Sequence, residues 1–404
     1  MPTYTYRARD DRGQLVRGTM DALSGDEVTA KLRVMGYMAT HIALASRGIK
    51  VGDFAERIRP IKQQDLIVFY FQLSNLIGAG IPILTALKTI ETQVEHRKLK
   101  KVIGDTRRSI EAGSLFSASL DRYAGIFGKL FISMVKAGEE SGRLDKVLRS
   151  YAAYAEGQQE LREKVKGALF YPAILFIASI IVILFIVTFL IPQFVDLFSK
   201  AGLRLPFITQ MLYTAGLMLK NYWYFFMLFL AALIFSAKQY ARTKTGRLYC
   251  DRLLLKIPVV GVLMRKVYVS RFSRTLATLQ ISGVSILQSL DITKEVIGNK
   301  VMSEVVFKAR QAVEQGQKIS DPLKVSKEFP LDAVEMIAVG EETGNLEEML
   351  NKIADFYDMS IGFAVKKLTV IIEPVFLVIM GSIIAFIMAS MLIPVFDMVK
   401  LLRH

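Results

Sequence analysis

The residues best suited to chemistry in this chain are two pairs of adjacent carboxylates. Glu139 and Glu140 sit in Met134–Leu144, MVKAGEESGRL, and Glu341 and Glu342 sit in Met336–Leu346, MIAVGEETGNL. Two neighbouring carboxylates can grip a cation or the basic groups of a partner protein. Alternatively, the segment is only a helix–helix corner, in which a glycine ends one helix and Ser141 or Thr343 caps the next. A phosphate cradle is excluded, because Gly138-Glu-Glu-Ser-Gly142-Arg143 lacks the lysine and spacing of a Walker loop and its charge repels phosphate. The single cysteine, Cys250, rules out an internal disulfide and a thiolate zinc cage. His41, His96 and His404 are too few and too scattered for a metal site. No Ser/His/Asp or Cys/His set can be proposed. The expectation is a chain without catalytic residues, cofactor or metal.

The elements that must position these carboxylates are helical and partly membrane-embedded. Of 404 residues, 52% are hydrophobic and 22% charged, with a mean hydropathy of +0.36. That mixture fits a few membrane spans joined to sizeable polar domains. Between Lys166 and Asp196 lie 29 residues without a charge, and a span needs about 20 apolar residues. A second run of 17 residues lies between Lys220 and Lys238, and can lengthen backwards over Thr214–Leu219. A third, of 23 residues, runs from Pro374 to Phe396. Pro172 and Pro374 are placed in the first turns of spans one and three, where a missing N–H costs nothing. Tyr222, Trp223 and Tyr224 fit an interfacial aromatic belt. The N-terminus shows no apolar core of a cleaved signal.

Basic residues set the orientation. Arg162, Lys164 and Lys166 precede span one, Lys238, Arg242, Lys244, Arg247, Arg252 and Lys256 follow span two, and Lys366 and Lys367 precede span three. By the positive-inside bias these flanks face the cytoplasm, whereas the connection between spans one and two and the C-terminal tail lie outside. The net charge of +15 calls for an anionic neighbour, either a lipid surface or an acidic partner. It is spread along helices without an RNA or DNA motif, so nucleic acid is not expected.

The two acidic segments belong to an internal repeat. Six of eleven positions are identical at an offset of 202: Met134/Met336, Gly138/Gly340, Glu139/Glu341, Glu140/Glu342, Gly142/Gly344 and Leu144/Leu346. The same offset pairs Pro172 with Pro374, and an offset of 203 pairs Gly80 with Gly283 and Gly113 with Gly316. Each copy therefore reads as a helical domain followed by a span. Spans one and three then cross in the same direction, which requires an odd number of crossings between them, and span two supplies one. Leu144, Val147, Leu148, Tyr151, Ala152 and Ala155 form an apolar stripe on one helix face, and Leu346, Met349, Leu350, Ile353, Ala354 and Tyr357 repeat it.

The first residues differ. Tyr4, Tyr6 and Ala8 alternate with polar residues, a turn at Asp11–Gly13 follows, and Leu15–Met20 completes a hairpin. Ser24 caps a helix carrying Val28, Leu32 and Met35, with Gly36 at its exit. The predicted order is a small α+β domain at 1–45 and a basic linker at 46–62, which is either a solvated tether or a contact for anionic headgroups. There follow a first helical bundle at 63–167, span one at 168–191, an outer connection at 192–215 and span two at 216–237. A connector at 238–265, a second bundle at 266–372, span three at 374–396 and an outer tail at 397–404 complete the chain. The fold class is an all-α polytopic membrane protein with two homologous cytoplasmic bundles and three transmembrane helices.

Several strings resemble the inner-membrane platform proteins of type IV pilus and type II secretion machines, the PilC/GspF family. They are Leu76-Ile-Gly-Ala-Gly80-Ile-Pro82 with Leu279-Gln-Ile-Ser-Gly283-Val, the Gly138–Leu144 string, Ile257-Pro-Val-Val-Gly261 and Glu373-Pro374. Tyr171 stands where the second copy has Glu373. The resemblance implies a non-catalytic scaffold of the bacterial inner membrane, with its bulk in the cytoplasm. It would bind a hexameric assembly ATPase, meet pilin or pseudopilin subunits and inner-membrane alignment-complex proteins, and form a homo-oligomer in the phospholipid bilayer. Glu139, Glu140, Glu341 and Glu342 are the candidate docking residues, and Gly80, Gly138, Gly142, Gly283, Gly340 and Gly344 the repeat-motif glycines. The alternative is a membrane transporter or channel component. It is disfavoured because the three runs carry no charged residue, and away from their ends the polar positions are Ser179, Thr188, Ser236, Ser382 and Ser390.

Overall fold

The computed structural model describes residues 2–9, 15–44, 60–200 and 207–401. At the N-terminus, strands β1 (Thr3–Arg9), β2 (Leu15–Asp21) and β3 (Met38–Leu44) form an antiparallel sheet in the order β2-β1-β3. Helix α1 (Gly25–Val34) begins at Ser24, whose hydroxyl accepts the Glu27 N–H at 3.3 Å, while the Glu27 carboxylate accepts the Leu23 N–H at 2.7 Å. This reciprocal arrangement satisfies donors that a helix start leaves free. Ala8, Ala22, Val28 and Leu32 form the small core. The hairpin reading holds but is incomplete, because β3 pairs with the other edge of β1 across a register shift at Arg7/Ala8. The expected turn at Asp11–Gly13 and most of the basic linker lie outside the described residues.

The first repeat copy comprises α2 (Gln63–Gly78), α3 (Ile83–Gln93), α4 (Arg97–Glu111), α5 (Phe116–Asp121), α6 (Ala124–Phe127), α7 (Lys129–Ser141) and α8 (Leu144–Phe185). A five-residue π-turn (Ile186–Leu190), α9 (Ile191–Lys200) and α10 (Phe207–Arg242) follow. The second copy runs through α11 (Lys244–Lys256), α12 (Val260–Ile281), α13 (Ile286–Val296), α14 (Lys300–Glu314), α15 (Ser320–Ser326), α16 (Leu331–Thr343) and α17 (Leu346–Leu401).

Aromatic rings fill the first bundle: Tyr70 lies 4.7 Å from both Phe131 and Tyr151, and Phe69 lies 5.6 Å from Phe127. The second bundle buries Phe272, Leu276, Met302, Ile337, Leu350 and Ile353. Each such side chain contributes about 1.5–3 kcal/mol through removal from water. The breaks between helices follow from glycine. In the first copy, the Gly80 N–H reaches the Ile77 carbonyl and the Ile81 N–H reaches Leu76, and in the second Gly283 and Val284 repeat this with Gln280 and Leu279. Both glycines hold φ near 80°, which lets the chain leave the helix with its last carbonyls satisfied.

Among the described residues, three helices are long and apolar enough to cross a membrane, within Leu144–Leu197, Thr209–Arg242 and Leu346–Leu392. Their apolar side chains stay exposed: Phe225, Phe229 and Phe235 on α10, and Leu377 and Val378 on α17. Such a surface suits lipid rather than water. Ile191 and Val195 pack with Ile387 and Met391, and the Thr209 hydroxyl donates to the Ser390 carbonyl at 2.6 Å. The α10 backbone crosses the π-turn so closely that a Cβ on Gly216 would meet the Val187 carbonyl oxygen at 2.4 Å.

One expectation is corrected. Pro172 and Pro374 do not open new helices; each lies inside a continuous one, because α8 and α17 run from the bundle straight into the apolar stretch. A proline there removes the bond to the carbonyl four residues back, and for Pro172 that carbonyl belongs to Ala168. The Thr369 hydroxyl on α17 lies 3.4 Å from it and 3.1 Å from the Val365 carbonyl of its own helix, so its one proton is shared and replaces the missing N–H only in part.

Candidate functional site

The four candidate carboxylates lie at two equivalent corners, and the first member of each pair has a defined partner. Glu139, near the end of α7, accepts the backbone N–H of Phe116 at 2.6 Å and of Ser117 at 3.0 Å. Glu341, near the end of α16, accepts the N–H of Ile319 at 2.5 Å and of Ser320 at 3.0 Å. Each carboxylate therefore caps the start of a short helix, α5 or α15, whose first N–H groups have no partner of their own. The negative charge also matches the positive end of that helix.

The second members face outward. Glu140 is exposed, 4.0 Å from Lys136, and Glu342 accepts a hydrogen bond from Lys318 at 2.7 Å. That hydrogen bond and the Lys318 charge hold the Glu342 carboxyl below its ordinary pKa and hold Lys318 above its own.

The glycines divide the remaining labour. Gly142 and Gly344 end α7 and α16 in the left-handed conformation, at φ 66° and 69°. Gly138 and Gly340 are helical and mark close approach instead. A Cβ on Gly138 would stand 3.2 Å from Leu144 Cα and from Val147 Cβ; on Gly340 it would stand 3.0 Å from Leu346 Cα and 3.1 Å from Met349 Cβ. The corner expectation is thus met in part. Ser141 and Thr343 do not cap the next helix, because their hydroxyls bond back to the Ala137 and Val339 carbonyls at 2.7 and 2.8 Å. The glycine turn leaves them on the final turn of the preceding helix, where the carbonyl four residues back is the nearest acceptor.

Sequence reasoning missed a second polar constellation, between the bundles. A cleft of about 680 Å³ is lined by α8, α12 and α17. In it Arg274 donates to Asp355 at 2.5 Å and to Asp358 at 3.0 Å, and Ser270 donates to Asp358. Burial works against the guanidinium charge, but the two carboxylates hold its pKa above the ordinary value. Across the cleft, the hydroxyls of Tyr154 and Thr275 lie 3.2 Å apart. Lys129 and Glu295 form a further inter-bundle ion pair at 3.0 Å. Asp355 and Asp358 lie 81 and 84 residues from Arg274, so no local pattern announced them. Among the described residues, no group of three or more His, Cys, Asp and Glu side chains is placed to hold a metal.

Comparison with known proteins agrees with this doubled plan. The family described as type II secretion system (T2SS), protein F, matches residues 69–192 and again 272–394, and its N-terminal domain matches residues 1–43. The type IV pilus assembly protein PilC of Thermus thermophilus is 38% identical, over 99% of this chain and 98% of its own. PilC of Myxococcus xanthus is 33% identical over 98% and 94%, and the type II secretion system protein F of Xanthomonas campestris is 32% identical over 98% and 99%. With two matched copies, a matched N-terminal domain and full-length relatives of both kinds, this chain belongs to the type II secretion system protein F family, which includes the PilC proteins of type IV pilus assembly.

Proposed function

We propose that this chain is the non-catalytic inner-membrane platform of a type IV pilus or type II secretion machine, and that it relays the movements of a cytoplasmic assembly ATPase to pilin or pseudopilin subunits in the bilayer. In this reading residues up to about 168 and from about 238 to 373 are cytoplasmic. The observation that carries it is the continuity of α8 and α17. Each is a single helix that starts in a bundle core, at Leu144 or Leu346, and continues through the apolar stretch. A helix rises about 1.5 Å per residue and is stiff along its axis. Its first turns are locked into close-packed cores that resist compression, so displacement of a bundle displaces the span. Glu140 and Glu342, exposed on equivalent corners, are the carboxylates placed to meet a basic surface of the ATPase by exchanging their lysine partners Lys136 and Lys318; Glu139 and Glu341 are engaged internally.

The test separates a lever from a passive anchor. A flexible Gly-Ser-Gly-Ser insertion after Lys166, or after Lys367, breaks the rigid link while leaving bundle and span intact. The expected result is normal membrane insertion and normal ATPase co-purification, with pilus assembly or secretion lost. Seven helix-forming residues at the same place, about two turns, keep the link and restore part of the activity. Full assembly by the flexible variants would refute the relay.

A further inference from the structure

The segment joining α11 to α12 presents an apolar surface that neither bundle covers. Tyr249 and Leu253, one turn apart on the outer face of α11, are 62% and 51% exposed. Ile257, Val259, Val260 and Val262 continue that surface, with Val259 at 55% and Val262 at 60%. At its tip, the Val260 N–H bonds to the Pro258 carbonyl at 2.9 Å, a tight γ-turn that forces Val259 to φ 71° and ψ −58°. A β-branched residue with positive φ is a backbone outlier, and such a turn is a strained way to hold an apolar side chain outward.

The fold fixes where this tip lies. Lys266 on α12 donates to Ser360 on α17 at 3.2 Å, Ser270 to Asp358, and Arg274 to Asp355. Rising numbers on α12 meet falling numbers on α17, so the two helices are antiparallel. Six residues back from Lys266, Val260 is level with Lys366 on α17, next to the last basic residues before the apolar stretch that begins at Pro374. Both Lys366 and Lys367 mark the cytoplasmic face in the proposed topology, on which this inference rests. The charges around the tip match that position. Arg247, Arg252 and Lys256 are exposed on α11 and follow Lys238 and Arg242 at the end of α10. The one acid of α11, Asp251, is turned inward and accepts the Lys300 N–H at 2.7 Å.

We propose that the α11–α12 turn is a membrane-interface wedge: Leu253, Ile257, Val259 and Val260 enter the headgroup–acyl boundary of the cytoplasmic leaflet, and Arg247, Arg252 and Lys256 meet anionic headgroups. Interfacial segments combine apolar burial with basic flanks in this way. The lipid surface is chosen over a protein occupant because the tip lies level with Lys366, beside the apolar stretch of α17, and the exposed charges of α11 are all positive. The wedge gives the second bundle a foothold on the bilayer independent of its spans.

The test uses the full chain in nanodiscs. Cys250, itself exposed, is replaced by serine, and single cysteines at Val259, Phe229 or Val339 carry a bimane fluorophore. Lipids brominated in the upper acyl chain quench it on contact. Phe229 lies on α10 and reports whether that helix is in lipid; Val339, also exposed, adjoins Gly340, which packs against Leu346 and Met349 at the start of α17, and so reports the end of the second bundle farthest from Lys366. Fluorescence at 259 is expected to fall about twofold in discs containing anionic brominated lipid, because interfacial segments sit roughly 5–10 Å into that boundary, while 339 stays unquenched. Combining Val259→Cys with Arg252→Gln and Lys256→Gln should weaken the quenching in anionic discs. Quenching at 229 with 259 no more quenched than 339 overturns the wedge and assigns the patch to a protein neighbour. Absence of quenching at 229 overturns the membrane topology itself, and the wedge with it.

Discussion

Replacing Glu139 by alanine should unfold a corner that replacing Glu140 leaves standing. The Glu139 carboxylate accepts two N–H groups at the start of α5, at 2.6 and 3.0 Å, and both donors belong to half-buried or buried residues. Hydrogen bonds to a charged acceptor contribute about 1.5–3 kcal/mol each, and a donor stranded away from water costs about 1–3 kcal/mol. Water entering the vacated space recovers part of this, which leaves a loss of about 2–4 kcal/mol. For a bundle of this size, that lowers the melting temperature by roughly 10–20 °C. Glu341→Ala should do the same to the second bundle, and Glu139→Gln, which keeps one acceptor oxygen, should fall between. The assay is circular dichroism of the detergent-solubilised full chain during heating, with Glu140→Ala and Glu342→Ala as references. If Glu139→Ala melts with Glu140→Ala, the capping argument is wrong. This asymmetry also governs docking experiments. Reversing all four charges confounds a lost cap with a lost surface, so only Glu140→Lys and Glu342→Lys isolate a partner contact.

Gly138→Ala and Gly340→Ala should each destabilise their bundle by about 1–3 kcal/mol through overpacking, since the new methyl would stand 3.0–3.2 Å from the facing helix. Gly157→Ala in α8, where a Cβ meets nothing within 4 Å, should instead stabilise by about 0.5–1 kcal/mol; thermal melts of the three variants give the contrast. Burial alone would raise the Asp291 pKa, but hydrogen bonds from Lys294 and Arg310 outweigh it, and the carboxyl titrates below its usual 3.8. A depressed folded-state value means that its contribution is present above about pH 4 and lost as the pH falls below that. Chemical denaturation of Asp291→Asn should accordingly show a shallower loss of stability between pH 5 and about 3 than the parent protein.

Much of the architecture was legible because its signals are long or repeated. The first and third uncharged runs mark spans by length alone, the second only when lengthened backwards over Thr214–Leu219, and matched glycines at Gly80/Gly283 and Gly142/Gly344 betray the duplication because each turn needs a positive φ. What escaped was set by distant partners. The N–H groups held by Glu139 lie 22 and 23 residues away in the backbone, and backbone donors leave no trace in residue types. Strand β3, MATHIAL, alternates poorly because its pairing with β1 shifts register midway. Pro172 was read by the rule for a helix start, whereas α8 runs through it unbroken from the bundle.

The two prolines are more than tolerated interruptions. Pro172 and Pro374 occupy the same point in their respective copies, so both long helices lose one backbone bond at the same height, where the bundle gives way to the apolar stretch. The shafts still carry a push along their axes, but a sideways load bends them first at these matched points. Thr369 stands within 3.4 Å of the carbonyl that Pro172 leaves open, so the second shaft lies against the first at that height and the two tilt together rather than independently.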